Sequence, residues 1–220
     1  MFDFNKENGE ILIYDEIGPD WYGMIDASAV ITALSQMDGK RVTVRINSPG
    51  GSVDEGVAIY NALERYPGGV DTVNDSVAAS IANYIFMVGE NRHQAKNAKS
   101  MIHKPWSLAF GNAEEFRKQA EILDKYDDSI AAVYIEKTEM TAEDVSSAMG
   151  AETWYLAEEA VAAGLATGVG LAVETEPATI AAGRYKNTPQ DLLIKPKAGS
   201  LRKIPHNRIA AEIRQKRHKK

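Results

Sequence analysis

The sequence contains no cysteine. That absence removes disulfides, thiolate metal sites and cysteine nucleophiles together, and it fits a reducing compartment. Histidine is nearly as scarce: His93, His103, His206 and His218 are the four copies, none in a His-x-x-x-His spacing, so no zinc site is expected. The glycine fingerprints of phosphate loops and dinucleotide folds, Gly-x-x-x-x-Gly-Lys-Ser/Thr and Gly-x-Gly-x-x-Gly, are missing, and no cofactor is expected. Long apolar runs are missing too. The stretches 78–88 and 130–135 are too short and too interrupted to cross a bilayer, so no membrane partner is expected. The first residues, MFDFNKENGEILIYDE, carry acids where a secretory leader needs a basic lead and then an apolar run, and a cytoplasmic location is the expectation. Chemistry in this chain must use hydroxyls, histidines, carboxylates or lysines.

What is present divides into two parts. With 220 residues, 44% of them hydrophobic, the chain can bury one substantial core. Residues 185–220 hold 11 Lys/Arg against 2 Asp/Glu, a charge of +9, which leaves 14 against 29, or −15, on the rest. From residue 174 onward Pro, Gly and polar residues dominate, with too few apolar side chains to offset chain entropy. The reading is a domain over 1–173 and a largely disordered basic extension over 174–220, with a short helix possible at 207–219. Nucleic acid is disfavoured as a partner because the basic residues come without interleaved aromatics. Attraction to an acidic partner, including the protein's own body, explains the tail's charge as well.

Along the body, 11–14 alternates as a strand and Asp26 caps an expected helix at 27–37. A second strand, 41–46, stops at Asn47-Ser48-Pro49-Gly50-Gly51, and a helix is expected at 53–66. The unit repeats as a strand at 70–73, a polar turn and a small-residue helix at 78–88. A strand pair within 94–103, a long helix at 112–137 and shorter helices at 142–149 and 157–163 complete the pattern. Strands alternating with helices argue an α/β fold with a mainly parallel sheet. The long helix carries Ile122, Leu123, Tyr126, Ile130, Val133 and Tyr134, a stripe that one small domain does not obviously cover, so an oligomer contact is expected.

Ser80 stands at the expected start of the second helix, where unpaired amides and the positive end of the dipole favour developing negative charge. A lone serine among alanines is more often a packing residue. His103, in Met101-Ile102-His103-Lys104-Pro105, ends a strand before a loop and is placed to serve as the base a hydroxyl nucleophile needs. His93 falls in a polar turn and reads as solvated. The amides of Gly51 and Ile81 are the candidate oxyanion donors. A carboxylate should orient the base. Glu152 is available, and the residues alone do not separate it from Asp124 or Asp144.

At these positions the chain resembles the proteolytic subunit family of the Clp proteases. The matching segments are Ile46-Asn47-Ser48-Pro49-Gly50-Gly51, Gly56-Val57-Ala58-Ile59-Tyr60, Ala78-Ala79-Ser80-Ile81-Ala82, Met101-Ile102-His103-Lys104-Pro105, Glu158-Glu159-Ala160 and Gly164-Leu165. Pro105-Trp106, Gly111-Asn112-Ala113 and Glu152-Thr153-Trp154 resemble most the Clp-like head maturation proteases of tailed phages and prophages. The resemblance implies a ClpP/crotonase-like spiral of β-β-α units with a protruding long helix. It implies Ser80 as nucleophile, His103 as base, Gly51 and Ile81 as oxyanion donors, and Glu152 at the position of the acid. It further implies a serine endopeptidase acting on protein or peptide substrates, assembled into a heptameric ring or double ring. For a phage enzyme the substrates would be scaffold or capsid proteins, in the host cytoplasm or the prohead, and the use of an ATPase partner stays open. Two departures stand out. Ser76 replaces a usual glycine, implying an altered turn, and Glu152 replaces a usual aspartate. A catalytically weak or inactive ring-forming assembly component of the same fold, and less so an acyl-CoA enzyme of the crotonase type, are the alternatives.

Overall fold

The computed structural model describes residues 2–171 and 178–194; the expected helix at 207–219, with His206 and His218, lies outside the described residues. The strands are β1 (Phe2–Asn5), β2 (Glu10–Ile13), β3 (Val42–Ser48), β4 (Val70–Ala79), β5 (Arg92–Ala95), β6 (Lys99–Ile102), β7 (Thr153–Tyr155) and β8 (Gly168–Gly170). The helices are α1 (Ala27–Ser35), α2 (Val53–Glu64), α3 (Ile81–Phe86), α4 (Ala113–Lys137), α5 (Ala142–Ala151) and α6 (Ala157–Ala162). They form the expected α/β fold. The sheet runs β1-β2-β3-β4-β5-β8, with β6 pairing β4 and β7. Among the described residues only β1–β2 and β6–β7 are antiparallel strand pairs; the other strand pairs are parallel.

Local chemistry accounts for the boundaries. The Asp26 side chain accepts from the Ala29 amide to start α1, and Ser52 does the same for Glu55 at α2. Asn112 and Glu115 close a capping box at the start of α4, as Thr141 and Asp144 do at α5. The alternation of β3 and the first half of β4 buries Val42, Val44, Ile46 and Val70 in one core with Ile59 and Leu63 of α2 and Val30, Ala33 and Leu34 of α1.

The largest difference from the sequence reading lies in β4. Residues 74–79 continue the strand where a turn and the start of a helix are expected, so α3 is short and begins only at Ile81. The strand persists because the Asp75 carboxylate and the Asn74 side-chain amide group find partners in place, although Asn74 Oδ1 stays unpaired. Asp75 is fully buried and takes two bonds from the Arg45 guanidinium, at 2.8 and 2.5 Å, plus one from the Tyr14 hydroxyl. Burial, and then Asp75, push the Tyr14 phenol up to about 12. On the other side Asn74 donates to the Lys99 carbonyl at 3.0 Å and to Ser100 Oγ at 3.2 Å. Ser76 is therefore a buried strand residue and shapes no turn. The expected strand pair at 94–103 is likewise two strands that do not pair with each other. β5 runs beside Thr72–Asn74 and β6 beside Val77–Ala79 of the same long β4.

A second correction concerns the chain's end. Residues 178–194, read as part of a disordered extension, pack against the sheet. Ile180, Tyr185 and Leu192 form a small apolar cluster with Val77 and Ala79 of β4 and Met101 of β6. Neighbouring residues Ala78 and Ile102 point the other way into the main core. The strand tips are thus covered on both faces, one of them by this segment. No helix among the described residues is long and apolar enough to cross a membrane.

Candidate active site

Three adjacent parallel strands end at one edge of the sheet, the place where open α/β folds present their sites. Strand β3 leads into Pro49-Gly50-Gly51, β4 into Ser80 and β6 into His103, and the pairings Ser48–Ala78 and Ala79–Met101 hold the three ends level. The fourth group arrives from the antiparallel neighbour. Because Thr153 of β7 pairs with Ile102 of β6, Glu152 follows in register beside His103.

Ser80 joins β4 to α3 without a loop, at φ 58° and ψ −130°. This conformation is sparsely populated for a residue with a side chain and costs on the order of 1–3 kcal/mol. It is held by the bond from the Ser80 amide to the Met101 carbonyl, 2.9 Å, and by the Ser80 carbonyl, which accepts from Asn83 and Tyr84 in the first turn of α3. Such a strand-to-helix elbow lifts the hydroxyl clear of the sheet. Ser80 Oγ lies 2.8 Å from His103 Nε2. With the ring proton on Nδ1, Nε2 accepts from the hydroxyl. The six-residue α3 offers little of the dipole expected from a longer helix; what it supplies is the amide of Ile81, which as the first helical residue has no intrahelical acceptor.

The glycine turn is fitted to this elbow atom by atom. A Cβ on Gly50 would meet the Ala79 carbonyl oxygen at 2.6 Å and Ser80 Cβ at 2.8 Å. On Gly51 it would meet the Ile17 carbonyl oxygen at 1.8 Å. Ile17 bonds to both residues flanking Gly51, its amide to the Gly50 carbonyl at 3.0 Å and its carbonyl to the Ser52 amide at 2.8 Å. That bridge leaves the amide of Gly51 directed away from Ile17. Gly56 of α2 is as constrained, since a Cβ there would lie 2.1 Å from Ile81 Cγ1.

Glu152 caps α5 in the left-handed region, φ 54°, and is buried. Its carboxylate accepts from the amides of Lys186 at 2.7 Å and Asn187 at 2.6 Å. No hydrogen bond joins it to His103 among the described residues, although its charge acts on the ring. The other carboxylates considered are elsewhere. Asp144 is spent on the α5 capping box and Asp124 is exposed on α4. His93 stands exposed in β5, a strand position and not the expected turn. Sequence reasoning missed Tyr185, whose ring meets His103 edge-on at 5.1 Å, and Arg184, paired with Glu16 at 2.7 Å. The only sequence signal for them was an aromatic and a cation inside an apolar-poor stretch.

Burial holds the His103 ring below its ordinary value of 6.5; the Glu152 charge raises it and the Arg184 charge lowers it further. A base must be neutral to accept a proton, so the acid limb of kcat/KM is expected below pH 6.5. Arg184→Ala removes a cation that disfavours the charged ring, and the limb should move up in pH. A limb above 6.5 in the parent protein would contradict this placement of His103.

This arrangement of turn, elbow and histidine coincides with a family match. The chain matches the Clp protease family over residues 5–172. It belongs to that family, and with it to the serine-type peptidases. Among curated relatives, it is 30% identical to the ATP-dependent Clp protease proteolytic subunit 1 of Leifsonia xyli over 62% of this chain and 71% of that one. It is 33% identical to proteolytic subunit 3 of Streptomyces coelicolor over 60% of this chain and 62% of that one, short of two thirds of its length. Proteolytic subunit 2 of Corynebacterium efficiens is 33% identical over 62% and 70%. The family match ends at 172, so the segment 178–194 that lies against Ser80, His103 and Glu152 falls outside it.

Proposed function

We propose that this protein is a serine endopeptidase in which Ser80 is the nucleophile and His103 the general base. The observation that carries the reading is the 2.8 Å contact between Ser80 Oγ and His103 Nε2 at a strained elbow beside a glycine turn. Ser80 Oγ attacks the scissile carbonyl carbon as its proton passes to Nε2. The amides of Gly51 and Ile81 hold the resulting oxyanion. Collapse returns the proton from Nε2 to the leaving amine and leaves an acyl-enzyme. Water then attacks with His103 again as base, and the acid product departs from Ser80. Glu152 steadies the imidazolium when its carboxylate is free to face the ring.

The finer reading is a head maturation protease of a tailed phage or prophage, working as a ring on scaffold or capsid protein in the host cytoplasm or prohead. The Pro105-Trp106, Gly111-Asn112-Ala113 and Glu152-Thr153-Trp154 segments support the first part. Ring assembly is supported by a run of exposed apolar side chains, Trp106, Leu108, Phe110, Phe116 and Ile122, along the loop before α4 and its first half, while only Ile130 and Tyr134 of that helix are buried. The rival reading, an inactive assembly component, draws support from the engagement of Glu152 by backbone amides and not by His103. Co-expression with a scaffold protein, followed by intact-mass measurement, separates the two. Scaffold truncated by the parent and left whole by Ser80→Ala is the expected outcome; whole scaffold in both samples, from correctly assembled protein, favours the inactive component.

A further inference from the structure

We infer that residues 181–188 form a built-in strap that closes the catalytic centre and must lift before substrate can enter. The inference rests on the assignment of Ser80 and His103 above. Tyr185 lies at the middle of the strap. Its hydroxyl donates to the Pro49 carbonyl at 2.6 Å, immediately before the glycine turn, and reaches the Ser80 side chain, while its ring edge covers His103. The residue is 6% exposed, so the space between the turn, the elbow and the histidine is taken by its own chain. A peptide presenting its carbonyl to Ser80 would need that same space.

The strap also engages the third group. The consecutive amides of Lys186 and Asn187 both donate to the Glu152 carboxylate, and the Asn187 side chain donates to the Ala151 carbonyl at 2.9 Å. With one amide on each oxygen, the carboxylate makes no hydrogen bond to His103 among the described residues. In one arrangement, therefore, the strap blocks the nucleophile and diverts the acid. Arg184 adds a third tie through Glu16, on the segment before the Ile17 bridge that shapes the glycine turn.

The contacts on either side differ in kind, which tells how the strap moves. Ile180 is 0% and Leu192 1% exposed, and the Ile180 amide bonds to the Leu192 carbonyl at 2.8 Å while the Ile194 amide bonds back to Ile180 at 3.1 Å. These anchors bury Val77, Ala79 and Met101, and losing them would bare an apolar sheet face. Between them the ties are polar except for the Tyr185 ring, which joins the apolar cluster and meets His103 and Trp154 edge-on, and Gly183 sits at φ +82° with nothing within 4 Å of an added Cβ, a position able to absorb a backbone rotation. The strap lifts between fixed anchors, exposing Ser80 and His103 and releasing Glu152 toward the ring. In a ring-forming protease whose target is its own assembly partner, such a closure delays cleavage until a substrate segment displaces it.

The test uses the full chain and two readouts: the rate at which a fluorophosphonate labels Ser80, and hydrogen exchange of the 178–194 amides. In Tyr185→Ala, and in Arg184→Ala/Tyr185→Ala with the anchors kept, the Lys186 and Asn187 amides should exchange faster and labelling should accelerate about tenfold or more, as expected when a minor open state becomes dominant. Ile180→Asp, which undoes an anchor, serves as the second route to release. Faster exchange without faster labelling, in either kind of variant, overturns the strap, as does a labelling rate that falls because Tyr185 positions His103. Failure of the underlying assignment looks different: adding Ser80→Ala to the released variant would then leave labelling unchanged.

Discussion

Ser80→Ala and His103→Ala should each lower peptide hydrolysis about 10⁴- to 10⁶-fold, and the double variant should be scarcely worse than either one. Residues that act as one unit are lost together, because a base without its nucleophile, or the reverse, accomplishes nothing. Here the unit is a single 2.8 Å hydrogen bond, so neither side chain retains a function alone. Folding should be little affected by Ser80→Ala, since the elbow is held by the Ser80 backbone amide and carbonyl, which alanine keeps. Melting temperature therefore stays near the parent value while turnover collapses. A residual rate within tenfold of the parent, or single-variant losses that multiply in the double variant, would show that the two residues do not work as a pair.

Gly51→Ala should be the most damaging change that removes no functional side chain. Its Cβ would fall 1.8 Å from the Ile17 carbonyl oxygen, and that oxygen cannot retreat without breaking its bond to the Ser52 amide. The turn must move instead, taking the Gly51 amide off the oxyanion position. Loss of one such donor costs about 10²–10³ in kcat. Gly39→Ala is the control: its φ is also positive, 73°, but no atom lies within 4 Å of the added Cβ, so it carries only the backbone strain, roughly 1–2 kcal/mol. The expected pattern is near-parental kcat for Gly39→Ala and a kcat at least a hundredfold lower for Gly51→Ala. Equal kcat in the two variants would remove Gly51 from the site.

Of the proposed pair, His103 reads as the end of a strand, whereas Ser80 reads as the start of a helix where the structure has the end of β4. Alternation in 41–46, followed by the paired glycines, fixes the end of β3, and Met101-Ile102-His103 fixes the end of β6. What local pattern does not carry is how far a strand runs when tertiary partners satisfy its polar residues. Asn74, Asp75 and Ser76 read as a turn by composition, yet Arg45 and Tyr14 neutralise the buried Asp75 and the Lys99 carbonyl takes up Asn74, so β4 continues to the elbow. The three-residue strands β7 and β8 were invisible for a related reason: each is too short to show a period, and its pairing is decided by residues distant in sequence.

The segment at 178–194 is the clearest case. Its apolar residues are sparse enough to read as disorder, but Ile180, Tyr185 and Leu192 converge on the same few side chains of β4 and β6. Composition counts apolar residues and cannot see convergence. The consequence reaches the chemistry, because the acid expected to hold His103 is occupied by that same segment. Glu152 came from the resemblance and not from the residues alone; the β6–β7 register puts it beside the histidine, and its backbone partners were not legible at all.

The pairing of Ser80 and His103 as nucleophile and base is tested most directly by mapping the site and rate of fluorophosphonate modification by mass spectrometry. One adduct, on Ser80, absent in Ser80→Ala and at least about a hundredfold slower in His103→Gln, is the result expected of a hydroxyl activated by its neighbour. An adduct on another residue, or modification of Ser80 that proceeds at the parental rate without His103, would contradict it.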